Sequence, residues 1–217
     1  MSIKITEKPD TVSWDEIHEL LWASHAKNRE KGMYMWYPSM SGDELERLVG
    51  KNGHTFVAID GDTLVGTCSF KIVNRNRWYA NGKKTAYFLM ASVLPEYQGS
   101  SVYFRLVRYR QKYIEDLGVE VVDMDTAENN VMMQKILLKQ GYKYVGFKAS
   151  SYGKHYSVVM AKWINGCPFP DKYVNRRFQI TKKLTKWQYK PGKIERSRIV
   201  SFFCRNANKL VKHYYGD

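Results

Sequence analysis

Residues 93–107 read VLPEYQGSSVYFRLV, and the fold turns on them. The stretch leading in, KTAYFLMASVLP (84–95), is almost continuously apolar, as in a strand covered on both faces of a sheet. Pro95 stops that strand. Small residues in QGSS then let successive backbone N–H groups point outward where a helix begins, an anion site suited to a pyrophosphate. An ordinary tight strand–helix turn carries the same residues. Phe104, Leu106, Val107, Tyr109, Tyr113 and Ile114 give the next segment a helical face, and Gly118 closes it.

Working outward, VEVVDMDTA (119–127) reads as the next strand, and NNVMMQKILLKQG (129–141) as a short helix ended by Gly141. YKYVGFKASS (142–151) and YSVVMAKWI (156–164) are two further strands. Upstream, Ser13 and Glu16 form a capping box before the helical face Ile17, Leu20, Leu21 and Ser24, with Gly32 as its end. A second helix starts at Ser41 and runs through Leu48. HTFVAIDGDTLVGTCSF (54–70) is a hairpin about Asp60-Gly61-Asp62, its second strand extending towards Arg77, and Asn81-Gly82 marks another turn. Two helices, three strands, helix, strand, helix, two strands describe an α/β (α+β) fold with a mixed central sheet and helices on both faces.

Composition narrows the function classes. With 217 residues, 44% of them hydrophobic and 14% aromatic, the chain can bury a core, which excludes disorder. No run approaches the roughly 18 apolar residues of a membrane span, and the mixed-charge N-terminus lacks a signal-peptide apolar region. Cys68, Cys167 and Cys204 are too few and too scattered for a disulfide framework or a paired-cysteine zinc site, so no metal is expected. A soluble, cytoplasmic protein is expected. The formal charge of +14 is unevenly spread: residues 165–217 hold 13 Lys/Arg and 3 Asp/Glu, whereas residues 1–164 hold 22 and 18. This divides the chain into a folded unit, 1–164, and a basic, partly helical extension, 165–217. NGCPFPDKY reads as a linker, and Ile199, Phe203, Leu210 and Tyr214 share a helical face that suits docking on its own domain, on another subunit in a homodimer, or on an anionic surface.

The motif at 93–107 resembles the acyl-CoA-binding motif of the GNAT N-acetyltransferase superfamily, through Val93, Pro95, Gln98 and Gly99. AENNVMMQKILLKQGY (127–142) resembles that family's second motif through Asn130, Lys139, Gly141 and Tyr142, and Val65-Gly66 fits its hairpin. The resemblance spans roughly residues 13–164. It implies two splayed central parallel strands with acetyl-CoA wedged between them. The backbone of Ser92, Val93 and Leu94 would pair with pantetheine. The turn Gln98, Gly99, Ser100, Ser101, Val102 and Tyr103 would hold the pyrophosphate, and Asn130 would bond the pantetheine side. The chain departs from the family at Ser101 and Tyr103, where glycine or alanine is usual, at Met133 in place of alanine, and at Leu137 in place of the tyrosine that often protonates the leaving thiolate.

An amine acceptor needs a base. Asp123 and Asp125 share a face of their strand. Asp125 lies nearer the end where substrate meets thioester, although a salt bridge or a helix cap would use it equally. His155 is a second candidate, and Tyr142 and Tyr156 are candidate acids. His25, Arg29, Tyr34, Trp36 and Tyr37 suit a small acceptor such as an amino sugar or an amino-acid-like amine, or simply pack a loop. Trp78 and Tyr79 either rim the cleft or close a hairpin. The expected activity is acetyl transfer to a small amine. The alternatives are a degenerate binding module, or a protein or RNA acetyltransferase, with the basic extension engaging a polyanion.

Overall fold

A computed structural model of the chain describes residues 3–31, 40–73, 77–149 and 155–188. Seven strands form one sheet: β1 (Lys4–Glu7), β2 (Gly53–Asp60), β3 (Thr63–Val73), β4 (Thr85–Val93), β5 (Val121–Ala127), β6 (Lys143–Ala149) and β7 (Tyr156–Trp163). Their spatial order is β1-β2-β3-β4-β5-β7-β6. Only β4 and β5 are parallel neighbours. Among the described residues there are also six α-helices: α1 (Trp14–Ser24), α2 (Ala26–Glu30), α3 (Gly42–Val49), α4 (Val102–Asp116), α5 (Val131–Lys139) and α6 (Asp171–Gln188).

Local chemistry sets most of these boundaries. Ser13 Oγ accepts the Glu16 N–H at 3.1 Å while Glu16 Oε2 accepts the Ser13 N–H at 2.7 Å, the reciprocal cap the sequence predicts. Ser41 and Glu44 repeat it before α3. The first helix ends at Ser24 and not at Gly32, which lies outside the described residues. His25 breaks it (φ −101°, ψ 10°), because its ring turns inward to bond β4. β1 is unanticipated: four residues are too few to show alternation, and pairing with β2 makes it a strand. Beyond Ile164, Asp171–Tyr173 of the expected linker already belong to α6. Val174 and Phe178, one turn apart, bury against β6, and Phe178 stacks on Tyr144 at 4.9 Å. The helical face expected at 199–214 lies outside the described residues.

Two layers flank the sheet. Leu106 and Ile114 of α4 and Leu137 of α5 close over Phe56, Phe70, Phe88 and Met124 on one face. On the other, Ile17 and Leu21 of α1 and Leu45 of α3 pack on Val57, Leu89 and Met90. Gly66 permits the α4 contact, since a Cβ there would sit 2.9 Å from Leu106 Cδ1.

The decisive feature lies between β4 and β5. They pair at Thr85–Val121, Ala86–Val122 and Tyr87–Asp123, and then separate while β4 runs on to Val93 and β5 to Ala127. Met90, buried and at φ 54°, sits where the β3–β4 register shifts. A non-glycine residue there costs about 1–2 kcal/mol. The bulge bends the second half of β4 away from β5 and opens a gap at the sheet centre.

Candidate active site

The gap is lined by main-chain groups that nothing in the sheet uses. The Leu94 N–H donates to Val65 O at 3.0 Å, so it is committed to β3. By alternation, the N–H and carbonyl of Val93 face the gap, and Gln98 Nε2 donates to that carbonyl at 3.1 Å. After a 3₁₀ turn at Pro95–Tyr97, Gly99 adopts φ 84°, a conformation glycine alone takes without strain. The α4 ladder begins only at Arg105, whose N–H donates to Ser101 O. The N–H groups of Ser101, Tyr103 and Phe104 therefore have no protein acceptor among the described residues, and the Val102 N–H reaches only Ser100 Oγ at 3.3 Å. Orphan donors at the start of a 15-residue helix favour a phosphate. This turn and gap fit acetyl-CoA.

Tyr103 intrudes on that fit. It packs half-buried against the α4-side core together with Met133, and its hydroxyl lies 3.8 Å from Met133 Sδ on α5. The first turns of the two helices thus touch through side chains where the family has glycine or alanine on one and alanine on the other. Asn130 caps α5, its side chain accepting the Met133 N–H at 3.3 Å. A groove of about 740 Å³ runs along α4, with Ser101, Phe104, Arg108 and Tyr142 in its wall. Tyr142 is buried, and burial raises its hydroxyl pKa.

The opposite face of the sheet carries the polar chemistry. Asp123 is fully buried, accepting from the Tyr79 hydroxyl and pairing with Arg77 Nη1 at 3.0 Å. Trp163 Nε1 donates to Tyr79 O at 2.9 Å, and Trp78 Nε1 to Val145 O at 3.2 Å. Trp78 and Tyr79 therefore close the packing over β5 and β6 and do not rim a cleft. One residue pair further along, Asp125 is 13% exposed; it accepts from the Tyr87 hydroxyl and pairs with Lys148 Nζ at 3.0 Å. Burial, then Asp125, raise the Tyr87 pKa, so the phenol keeps its proton. His155 stands near this carboxylate. Burial lowers its pKa against the opposing pull of Asp125, and its Nδ1 is buried without a hydrogen-bond partner among the described residues. Asp125 and His155 thus come together, whereas Tyr142 lies across the sheet. Lys148 and Arg77 gave no signal in sequence, since single cations near strand ends are ordinary surface.

Of the expected acceptor groups, Tyr34, Trp36 and Tyr37 lie outside the described residues. Arg29 stacks on Trp22 at 3.8 Å. His25 is buried, with Nε2 2.8 Å from Ser92 Oγ and Nδ1 2.9 Å from Asn28 Nδ2. It ties the α1–α2 junction to the end of β4, a role the sequence did not reveal. Burial, aided by Arg29, pushes its pKa down to about 4. Between the ordinary value near 6.5 and about 4, the unfolded chain binds a proton that the fold excludes, so stability falls as pH falls through that window. Urea unfolding at pH 5 is expected to give about 2 kcal/mol less stability than at pH 7 from this group, and His25→Gln to remove that difference.

The acetyltransferase (GNAT) family profile matches residues 14–142, more than half of the chain. The chain belongs to the GNAT acetyltransferase family. It is an acetyl-CoA-dependent N-acetyltransferase. No curated protein matches it. Among solved structures it resembles the ribosomal-protein-S18-alanine N-acetyltransferase from Escherichia coli (15% identity, 75% of this chain and 94% of that one, TM-score 0.60). It also resembles aminoglycoside 6'-acetyltransferase type Ii (22%, 77% and 99%, 0.56), and Arabidopsis thaliana NAA60 in complex with acetyl-CoA (16%, 76% and 100%, 0.55). At these identities the likeness is one of fold.

Proposed function

We propose that the chain acetylates the primary amine of a small polar acceptor, an amino sugar or an amino-acid-like compound, with His155 as the base. The observation that carries this reading is the buried Nδ1 of the His155 imidazole, unpartnered among the described residues, whose pKa burial lowers against the opposing charge of Asp125. Acetyl-CoA supplies an acetyl thioester. The Val93 N–H, facing the gap, donates to the developing oxyanion. The unpaired N–H groups of Ser101, Tyr103 and Phe104 bind the pyrophosphate, and the side-chain amide N–H of Asn130 orients the pantetheine arm. His155 accepts the ammonium proton through Nδ1, directly or through water, so that the amine attacks as the free base. Asp125, fixed by Tyr87 and Lys148, stabilises the imidazolium. Leu137 brings no acid to the departing sulfur, which leaves as a thiolate, as a thiol of pKa near 8.5 can do at neutral pH.

The polar rim supports this acceptor class. Lys148, Asp125 and the Tyr87 hydroxyl present both charges and a hydrogen-bonding group, the complement of a polyhydroxylated or zwitterionic amine. Aminoglycoside acetyltransferases of similar fold act on such amines, whereas the similar ribosomal-protein enzyme acts on a protein. A cytoplasmic site of action is part of the proposal: Cys68 and Cys167 are free thiols, as in a reducing compartment. The test is CoA release with the purified chain on a panel of amino sugars, amino acids and peptide N-termini. Turnover of a small amine supports the proposal. Turnover of peptides alone replaces the acceptor class, and acetyl-CoA binding without any turnover identifies a degenerate binding module.

A further inference from the structure

α6 has a second face that is turned to solvent. Among its 18 residues are six Lys/Arg and one Asp. The inner face is committed: Val174, Phe178 and Thr185 are buried, and Lys182 and Lys186 pair with Glu128 at 2.8 and 2.9 Å. Lys172, Arg176, Ile180, Lys183 and Trp187 follow one another at intervals of four, four, three and four residues, which aligns them along a single helical stripe. All five are exposed, Trp187 at 77% and Ile180 at 38%. The one carboxylate, Asp171, sits at the helix start and bonds Lys143. Residues 189–217 continue the same sign, with seven Lys/Arg against two Asp/Glu.

We propose that this stripe is an in-plane docking surface for an anionic lipid bilayer. Cations spaced along a helix with an indole and an aliphatic chain between them match the interfacial zone, where basic groups meet headgroup phosphates and apolar groups enter the acyl boundary. A polyanion such as nucleic acid would use the cations and the indole but gains nothing from exposed Ile180. No helix among the described residues is long and apolar enough to cross a membrane, so α6 lies on the surface. Lys182 and Lys186 stand over the Phe147 ring at 5.3 and 5.6 Å. Lys186 also stands 5.4 Å from the centre of the Tyr156 ring, next to His155. Docking would therefore bring the acceptor side of the enzyme close to the headgroups.

The test is co-sedimentation of the full chain with vesicles of phosphatidylcholine alone or with 30% phosphatidylglycerol, at low and high salt. Binding is expected only to the anionic vesicles, weakening with salt. The triple variant Lys172→Glu, Arg176→Glu, Lys183→Glu is expected to bind at least about 100-fold more weakly. Trp187→Ala should weaken binding several-fold with an unchanged melting temperature. Four results would overturn the proposal: no binding to anionic vesicles; triple-variant binding equal to that of the parent chain, which would assign it to residues 189–217 alone; tighter binding to a DNA duplex than to vesicles, unaffected by Trp187→Ala; or self-association that the triple variant abolishes, without vesicle binding.

Discussion

Tyr103→Gly is expected to bind acetyl-CoA about 10- to 100-fold more tightly than the parent chain in isothermal titration, while its ligand-free form melts at a lower temperature. The two effects share one cause. The phenol packs against the α4-side core and reaches Met133 across the opening between α4 and α5, so it stabilises the empty protein by filling the cleft. Removing an aromatic side chain from such packing costs a few kcal/mol. In the proposed binding mode acetyl-CoA displaces the same ring, and the burial it forfeits, about 1.5–3 kcal/mol, is subtracted from the binding energy. Glycine at this position removes the obstruction and leaves the N–H of residue 103 in place for phosphate. If Tyr103→Gly weakens binding, the ring is a platform for the cofactor and not an obstacle. Met133→Ala should tighten binding in the same direction but less, because a thioether repacks more easily than a phenol.

What the sequence made legible follows the range of each interaction. Capping boxes at Ser13 and Ser41, the turn glycines and the apolar run at 84–95 act over a few residues, so their geometry is written locally. The gap between β4 and β5 was legible only through family resemblance. Its physical origin, the bulge at Met90, is a left-handed residue in a buried strand that no propensity rule would place there. β1 and α6 exist because β2 and β6 offer them a partner, which is invisible in a four-residue strand and in a segment opened by two prolines.

The site divides the same way. Alternation placed Asp123 and Asp125 on one face, and they share it. It could not separate their roles. Arg77 and Tyr79, more than forty residues away, converge on Asp123 and bury it, whereas Asp125 keeps a partly open position at the next pair along the strand. That difference of neighbours makes one carboxylate part of the packing and leaves the other as the one whose charge bears on His155. His25 shows the converse. A histidine in a segment rich in aromatics and cations read as an acceptor contact, yet its ring is spent on Ser92 and Asn28, and it holds the α1–α2 junction against the cofactor strand.

His155→Ala is expected to lower kcat/KM by about 10²- to 10³-fold, with acetyl-CoA affinity unchanged. The pH profile gives the sharper test. Burial depresses the imidazole pKa below its ordinary value and Asp125 only partly restores it, which favours the neutral, proton-accepting form. In the parent chain, the acid limb of kcat/KM should therefore lie at lower pH than an ordinary imidazole would give, falling with unit slope as His155 protonates. Asp125→Asn removes the charge that favours the imidazolium. It should move that limb to still lower pH while reducing the plateau about 10-fold, because the proton accepted from the amine is then less well stabilised. The same variant frees Lys148 and Tyr87 from a charged partner, so its melting temperature must be checked alongside. His155→Ala should lose the acid limb altogether, its residual rate following ionisation of the amine itself. If His155→Ala keeps the limb and Asp125→Asn abolishes it, the carboxylate is the base and the histidine its support.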